Sequence, residues 1–129
     1  MTRPLRVELV VPVGGMGGAE AVALAFLDHQ AHRLEVEVLA LGDTPFLDAA
    51  RERGWPVEVL PTGRRPVDIA VASLRLARRW RRSSADVALA NGVKPAAVAV
   101  PAGRLVGMPV VWMKHDFSYD RVLARPLAA

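Results

Sequence analysis

The sequence contains no cysteine, few aromatic residues and no long apolar run, and each absence excludes a class of protein. Without cysteine among its 129 residues, the chain has no disulfide, no cysteine-ligated zinc and no catalytic thiol. Aromatic residues make up 5% of the chain and hydrophobic residues 52%, which favours aliphatic strands packed on helices. No segment approaches the roughly 20 apolar residues that cross a bilayer. We therefore expect a cytoplasmic protein, at most peripheral at the inner face of a membrane.

The positive charge is concentrated in one stretch of the chain. The formal net charge is +4, and the arginines that lie close together in sequence are Arg64, Arg65, Arg75, Arg78, Arg79, Arg81 and Arg82. Such a patch suggests an acidic partner, either a phosphate group or a membrane surface. No aromatic platform is interleaved with the arginines, so nucleic acid is not an expected partner.

The apolar spacing switches repeatedly between the strand period and the helix period. Strands are predicted at 5–11, 34–41, 55–61, 86–90 and 109–114, and helices at 19–31, 45–54, 66–82 and 95–105. Pro45 is expected in the first turn of the second helix, which Asp43 or Thr44 caps, and Gly54 is expected at its end. Alternating strands and helices with short connections predict an α/β fold, a Rossmann-like parallel sheet of about five strands with helices on both faces. We expect residues 1–129 to form a single domain.

The helical period also predicts which faces are buried. In the first helix the predicted inner face consists of Val22, Ala23, Phe26, Leu27 and Gln30. In the third helix the predicted buried face consists of Val67, Ala70, Val71, Leu74 and Ala77, and the polar face of Asp68, Arg75, Arg79 and Arg82. The basic residues of this helix suggest either a solvated surface or contact with a membrane or a lipid-linked acceptor.

A glycine-rich segment, 14–20, joins the first strand to the first helix. Loops in this position of open α/β sheets bind anionic ligands, because glycine lets the backbone approach a phosphate. A tight turn that binds nothing is the alternative interpretation. The dinucleotide fingerprint is not met, because Glu20 occupies the position of its last glycine and would repel a pyrophosphate. Asp43 lies where a ribose-binding acid would be expected in an oxidoreductase, although helix capping explains it as well and is favoured.

Three motifs, in this order, resemble family 4 glycosyltransferases. The segment Gly-Gly-Met-Gly-Gly-Ala-Glu at 14–20 resembles the glycine-rich loop that opens those enzymes. Residues 86–92 resemble the fourth strand and its turn, and residues 109–116 resemble a fifth strand that ends in histidine. The turn before the second strand departs from the family, which usually has Gly-His where this chain has Arg33 and Leu34. The resemblance implies the amino-terminal half of a GT-B fold.

The same resemblance implies a function and a set of site residues. It implies retaining transfer of a sugar from a nucleotide diphosphate sugar to an unknown acceptor, in a cleft between two Rossmann-like domains. The implied catalytic residues are His115 and Asp116, and the implied substrate- or diphosphate-binding residues are Gly15, Gly17, Gly18, Glu20 and Asn91. No metal is expected, and the histidine pair at 29 and 32 lacks a third ligand.

The resemblance further implies a donor-side domain that this sequence lacks, supplied in cis or in trans. We therefore expect the isolated chain to be inactive. We also expect it to self-associate through the apolar residues of its carboxyl-terminal segment, because exposed apolar patches promote association. Two other functions remain open at this point: a small phosphate- or nucleotide-binding module without catalysis, and a dinucleotide-binding oxidoreductase domain.

Overall fold

Strands and helices alternate along the whole described chain. The computed structural model describes residues 4–13, 18–30 and 33–113. Its elements are β1 (Leu5–Val11), α1 (Gly18–His29), β2 (Leu34–Ala40), α2 (Phe46–Glu52), β3 (Val57–Val59), α3 (Pro66–Arg82), β4 (Val87–Asn91), α4 (Val93–Val106) and β5 (Val110–Met113). The periodicity of the sequence predicted this order correctly. All of the predicted bounds agree within two residues.

The five strands form one parallel sheet in the order β3-β2-β1-β4-β5. One face packs against α1 and α2 through a cluster that includes Leu9, Leu27 and Phe46. The other face packs against α3 and α4 through a cluster that includes Val10 and Leu76. Because successive side chains of a strand point to opposite faces, a central strand must be apolar on both sides, as β1 nearly is. The predicted α/β, Rossmann-like fold with helices on both faces is confirmed.

Proline residues set two of the differences between predicted and observed bounds. β3 is shorter than predicted, and it lies between Pro56 and Pro61, neither of which can donate a ladder hydrogen bond. Pro56 still contributes its carbonyl oxygen, which accepts a hydrogen bond from the Val38 amide at 2.9 Å. α4 starts two residues before the predicted Pro95, because the first amides of a helix need no partner within the helix.

The predicted buried face of α3 is wrong. Val67, Ala70, Val71 and Leu74 are exposed, and Ala77 alone of the predicted set is buried. The residues that face the sheet and α4 are Ala72, Ser73, Leu76, Ala77 and Trp80. Both sets follow the helical period, so spacing along the helix does not distinguish them. In α1 the predicted inner face is wrong in part for the same reason. Val22 and Phe26 are about half exposed, while Ala23, Leu24 and Leu27 are buried.

A buried ion pair accounts for the orientation of α3. Glu8, in β1, is fully buried, and its Oε1 accepts a hydrogen bond from Arg79 Nε at 3.1 Å. Arg79 also pairs with Glu58, and its Nη2 lies 3.8 Å from Glu37 Oε2. A buried carboxylate without a cation would cost several kcal/mol. Arg79 is therefore directed toward the sheet, although the sequence predicted it on the outer, polar face.

α4 approaches β5 so closely that one of its positions requires glycine. A Cβ atom on Gly103 would lie 2.6 Å from the Met108 carbonyl oxygen and 2.7 Å from Val110 Cγ2. Gly107 then ends the helix with a φ of 77°, in the left-handed region that glycine adopts without strain. This close packing leaves β5 beside β4 with Asn91 opposite Met113.

Candidate functional site

The candidate site lies at the carboxyl edge of the sheet, the edge where the carboxyl ends of the parallel strands meet. β1 has β2 on one side and β4 on the other, so the strand order reverses direction between β1 and β4. Ligands of open α/β sheets bind outside the carboxyl ends of strands at such a reversal. The glycine-rich segment follows β1, and Asn91 and Gly92 are at the end of β4, so the topology brings the two motifs to neighbouring strands.

The end of β4 is built around a buried amide and a glycine-specific turn. Asn91 is fully buried as the last residue of β4. Gly92 follows with a φ of 111°, a conformation that strains any residue with a Cβ atom. α4 begins at the next residue, and Gly92 provides its N-cap without a side-chain hydrogen bond. The first turn of α4 therefore presents amides at this edge, where helix amino termini favour negative charge.

Lys94 is a residue of this edge that the sequence reasoning missed. Its Nζ donates a hydrogen bond to the Thr62 carbonyl oxygen at 3.0 Å, which links the first turn of α4 to the loop after β3. A cation in the first turn opposes the helix dipole, whereas an acid there would be stabilising. The sequence signal for Lys94 was therefore a basic residue at a helix position where an acidic one is favoured. Within the described residues, the Lys94 ammonium makes this single hydrogen bond.

The loops after β1 and β2 contact each other closely. The Leu41 amide donates to the Val11 carbonyl oxygen at 3.0 Å, and a Cβ atom on Gly42 would lie 2.5 Å from Val13 Cγ2. Gly42 was not among the predicted site residues. Its lack of a side chain lets the turn after β2 pack against Val13, the last described residue before the glycine-rich segment.

The capping interpretation of Asp43 is wrong, because the neighbouring hydroxyl makes the bond. Thr44 Oγ1 accepts a hydrogen bond from the Phe46 amide at 3.2 Å, which satisfies the start of α2. Asp43 is exposed and, together with Thr44, Asp48 and Arg51, lines an open depression of about 550 Å³ at the carboxyl edge. Asp43 is thus presented to solvent on the side of the sheet where a ligand would bind.

The predicted site residues fall into two groups. Gly15, Gly17, His115 and Asp116 lie outside the described residues. Gly18 is the first residue of α1, Glu20 is 7% exposed in the first turn of that helix, and Asn91 is buried at the end of β4. The enclosed Glu20 carboxylate benefits from the positive end of the helix dipole.

No metal site or membrane span is present in the described part of the chain. Across residues 4–13, 18–30 and 33–113, no three His, Asp or Glu side chains are grouped so that they could hold an ion. His29 is exposed at the end of α1, while His32 lies outside the described residues. Among the helices that the structure describes, none combines the length and the apolar character needed to cross a bilayer.

The sequence matches one protein family over most of its length. The profile of Glycosyltransferase Family 4 matches residues 16–129, a range that starts in the glycine-rich segment and extends past β5. The chain belongs to this family. No curated protein matches the sequence. The match confirms the family that the three motifs resembled.

Solved structures of glycosyltransferases share the fold. MurG of Acinetobacter baumannii superposes with a TM-score of 0.68 at 22% identity, covering 95% of this chain and 39% of its own. HepE of Anabaena, solved in complex with UDP, superposes with a TM-score of 0.65 at 19% identity, covering 95% of this chain and 33% of its own. A glycosyltransferase of Rickettsia africae superposes with a TM-score of 0.72 at 12% identity, covering 93% of this chain and 33% of its own. This family 4 chain therefore has the GT-B amino-terminal fold, and it spans between a third and two fifths of the length of these proteins.

Proposed function

We propose that this domain is the acceptor-side half of a retaining glycosyltransferase that transfers a sugar from a nucleotide diphosphate sugar to an unidentified acceptor. One observation carries the proposal: in a family 4 chain, the glycine-rich segment and the Asn91-Gly92 turn follow adjacent strands at the strand-order reversal. Binding sites of open α/β sheets occur at that position. HepE, which shares the fold, has been solved with UDP and with UDP and glucose, which supports a nucleotide sugar as the donor class.

In this proposal the backbone of the glycine-rich segment binds the anionic part of the substrates. Amides of Gly15, Gly17 and Gly18 donate hydrogen bonds to the donor diphosphate or to the acceptor, because glycine allows close approach. The first turn of α4 contributes further amides, and the Lys94 ammonium adds a positive charge beside them. Glu20 in the first turn of α1 and Asn91 at the end of β4 complete the set of residues that we assign to substrate or diphosphate binding.

We assign His115 the contact with the transferred sugar and Asp116 a supporting role beside it. β5 pairs with β4 so that Met113 is opposite Asn91, and residues 114–116 follow directly in sequence. A histidine can donate and accept hydrogen bonds near neutral pH, which suits recognition of sugar hydroxyl groups. No metal has a role in the proposed mechanism.

We place the donor-binding residues on a second domain, supplied in cis or in trans. We place the reaction in the cytoplasm. Without that domain the chain is expected to transfer no sugar. Peripheral contact with a membrane is part of the proposal. Self-association through the apolar carboxyl-terminal residues stays a prediction. Trp112 and Met113 of that set are half-buried against the core clusters, and Phe117, Tyr119, Leu123 and Leu127 lie outside the described part of the chain.

Co-expression with the donor-side domain tests the assignment. A second α/β domain encoded with this chain, joined to it or expressed beside it, should give transfer from a nucleotide sugar. His115→Ala should lower that rate at least about 100-fold, the usual scale for losing a group that acts in the transition state. His29→Ala is the control, because His29 is an exposed histidine in the last turn of α1, at the end of that helix away from the carboxyl edge.

Two results would contradict the proposal. Sugar transfer by the chain alone would show that it contains a complete donor site. A paired protein that binds nucleotide sugars without transferring them would instead favour the phosphate-binding module without catalysis.

A further inference from the structure

The depression at the start of α2 combines a carboxylate that the protein does not use with an apolar lining. Asp43 is exposed there, and across the described residues its side chain makes neither a hydrogen bond nor an ion pair. Pro45 is exposed, Val59 is 40% exposed, and both line the same depression, whose volume is about 550 Å³. A concave surface with a few polar groups on an apolar lining is the usual composition of a small-molecule site.

The loop that carries Asp43 is held in place on both sides. Before it, Gly42 packs against Val13 so closely that a Cβ atom would lie 2.5 Å from Val13 Cγ2. After it, the Thr44 hydroxyl oxygen accepts a hydrogen bond from the Phe46 amide at 3.2 Å. Neither contact involves the Asp43 side chain, which is therefore available to a ligand. Because Val13 directly precedes residues 14–20, the carboxylate is held beside the glycine-rich segment.

The depression has a net negative charge. Asp48 and Arg51 both line it, and their Oδ1 and Nη1 atoms form an ion pair at 3.4 Å. Asp43 is left as the unpaired charge among its lining residues. Lys94 lies at the start of α4, where the first amides of the helix also favour anions. The carboxyl edge is therefore positive at α4 and negative at α2.

From this arrangement we infer that the depression binds the acceptor, and that it recognises an uncharged sugar ring of the acceptor rather than a phosphate group. A carboxylate accepts hydrogen bonds through two oxygens, so Asp43 can bind two neighbouring hydroxyl groups of a pyranose. Pro45 and Val59 provide an aliphatic surface for the C–H groups of the ring. A phosphate at the same place would be repelled by the unpaired carboxylate.

Asp43 is in this inference a residue that determines specificity, because its charge separates the two substrates. The same repulsion that rejects a phosphorylated acceptor also keeps the donor diphosphate at the glycine-rich segment, so each substrate has its own place on one edge of the sheet. The inference rests on the proposed function, since only a glycosyltransferase gives the bound sugar the role of acceptor.

Titration of the full chain, followed by nuclear magnetic resonance, tests the inference without any sugar transfer. The probes are the methyl pyranosides of glucose, mannose and galactose, and the 6-phosphates of the same hexoses. At least one methyl pyranoside should shift the amide signals of Gly42, Asp43 and Thr44. Its 6-phosphate counterpart should bind at least about threefold more weakly at low salt, because like charges repel. Salt well above 0.1 M should reduce this preference, since the screening length then falls below about 10 Å.

Three variants separate the hydrogen bonds of Asp43 from its charge. Asp43→Ala should weaken binding of the methyl pyranoside by about tenfold or more, the scale of hydrogen bonds to a charged group. Asp43→Asn keeps one accepting oxygen but removes the charge, so the preference over the 6-phosphate should disappear. Glu52→Gln is the matched control, because it removes the same charge from an exposed residue of α2 that does not line the depression. It should change both quantities less than about twofold, and circular dichroism checks that each variant is folded.

Each outcome decides the inference. Weaker pyranoside binding in Asp43→Ala, together with loss of the preference in Asp43→Asn, supports it. It is overturned if no methyl pyranoside shifts the three amide signals, if the 6-phosphates bind as tightly, or if Glu52→Gln has the same effects. Shifts of these signals by UDP would overturn it as well, because they would assign Asp43 to the donor. If co-expression with the donor-side domain gives sugar transfer while every methyl pyranoside fails to bind, the proposed function stands and this inference alone is wrong.

Discussion

At the scale of single residues, Glu8 combines a carboxyl group with complete burial. It is fully buried in the central strand β1, and one of its oxygens accepts a hydrogen bond from Arg79. Burial raises the pKa of the Glu8 carboxyl above its usual value of 4.5, because desolvation outweighs the lowering effects of Arg79 and Trp80. Arg79 contacts Glu37 and Glu58 as well, so neutralising Glu8 would leave that arginine paired.

The raised pKa makes stability depend on pH in a defined direction. A folded state that binds a proton more tightly than the unfolded state gains stability below pH 4.5 and loses it as the pH rises through the folded pKa. The substitution Glu8→Gln removes the titrating carboxyl group and therefore this loss of stability. The free energy of unfolding of the variant relative to the wild type should therefore rise from pH 4.5 upward and then level off, with a slope of at most about 1.4 kcal/mol per pH unit.

Urea unfolding at a series of pH values measures this difference. Glu52→Gln is the control, because it makes the same substitution at an exposed residue of α2. A constant difference between Glu8→Gln and the wild type across this pH range would mean that Glu8 titrates as an ordinary surface carboxyl.

At the scale of secondary structure, α3 illustrates how one helix can offer two apolar faces. Val67, Val71 and Leu74 follow one helical stripe, and Ala72, Leu76 and Trp80 follow another. The sheet and α4 cover the second stripe, and Ser73 donates a hydrogen bond to the Val98 carbonyl oxygen of α4 at 3.0 Å. The contacts with α4 and the Glu8–Arg79 pair together determine which stripe is buried.

Two leucines of α3 test this assignment directly. Leu76 is fully buried and Leu74 is 59% exposed, so the same substitution is expected to have different costs. Leu76→Ala should destabilise the protein by about 2–5 kcal/mol through lost burial and a residual cavity. Leu74→Ala should stay within about 0.5 kcal/mol, as is usual for surface positions. If chemical denaturation showed an equal loss of stability in the two variants, or a larger loss in Leu74→Ala, it would support the buried face predicted from the sequence.

At the scale of the whole molecule, stability is expected to decrease from the centre of the sheet to one edge. β1 is buried from Val7 to Val11 and pairs with strands on both sides. β3 has three residues, of which Glu58 and Val59 are exposed, and it pairs with β2 alone. The other edge strand, β5, is supported by the close approach of α4 at Gly103.

Amide hydrogen exchange should reveal this gradient. Amides of β1 and β4 should exchange at rates set by global unfolding, and those of β3 much faster, since sparsely buried segments open locally. β5 serves as the internal comparison, because it is also an edge strand but is packed against α4. Protection of β3 equal to that of β1 would contradict the gradient and indicate one cooperative unit.

The sequence alone determined the order of the elements, the fold class and the family. These depend on information that is local in the chain: apolar spacing, the glycines and prolines that start and end elements, and a motif of seven consecutive residues at 14–20. Gly54 and Gly107 could be identified as helix ends because a left-handed conformation is required there whatever surrounds them.

Only the tertiary structure decided which helix faces are buried and which residues meet at the carboxyl edge. Glu8 and Arg79 are 71 residues apart in sequence, and Lys94 and Thr62 are 32 apart. No local pattern specifies such contacts, because each depends on the strand order and on how closely the helices approach the sheet. For the same reason Gly42 and Lys94 were missed, and the aliphatic row of α3 was predicted to be buried although it faces outward.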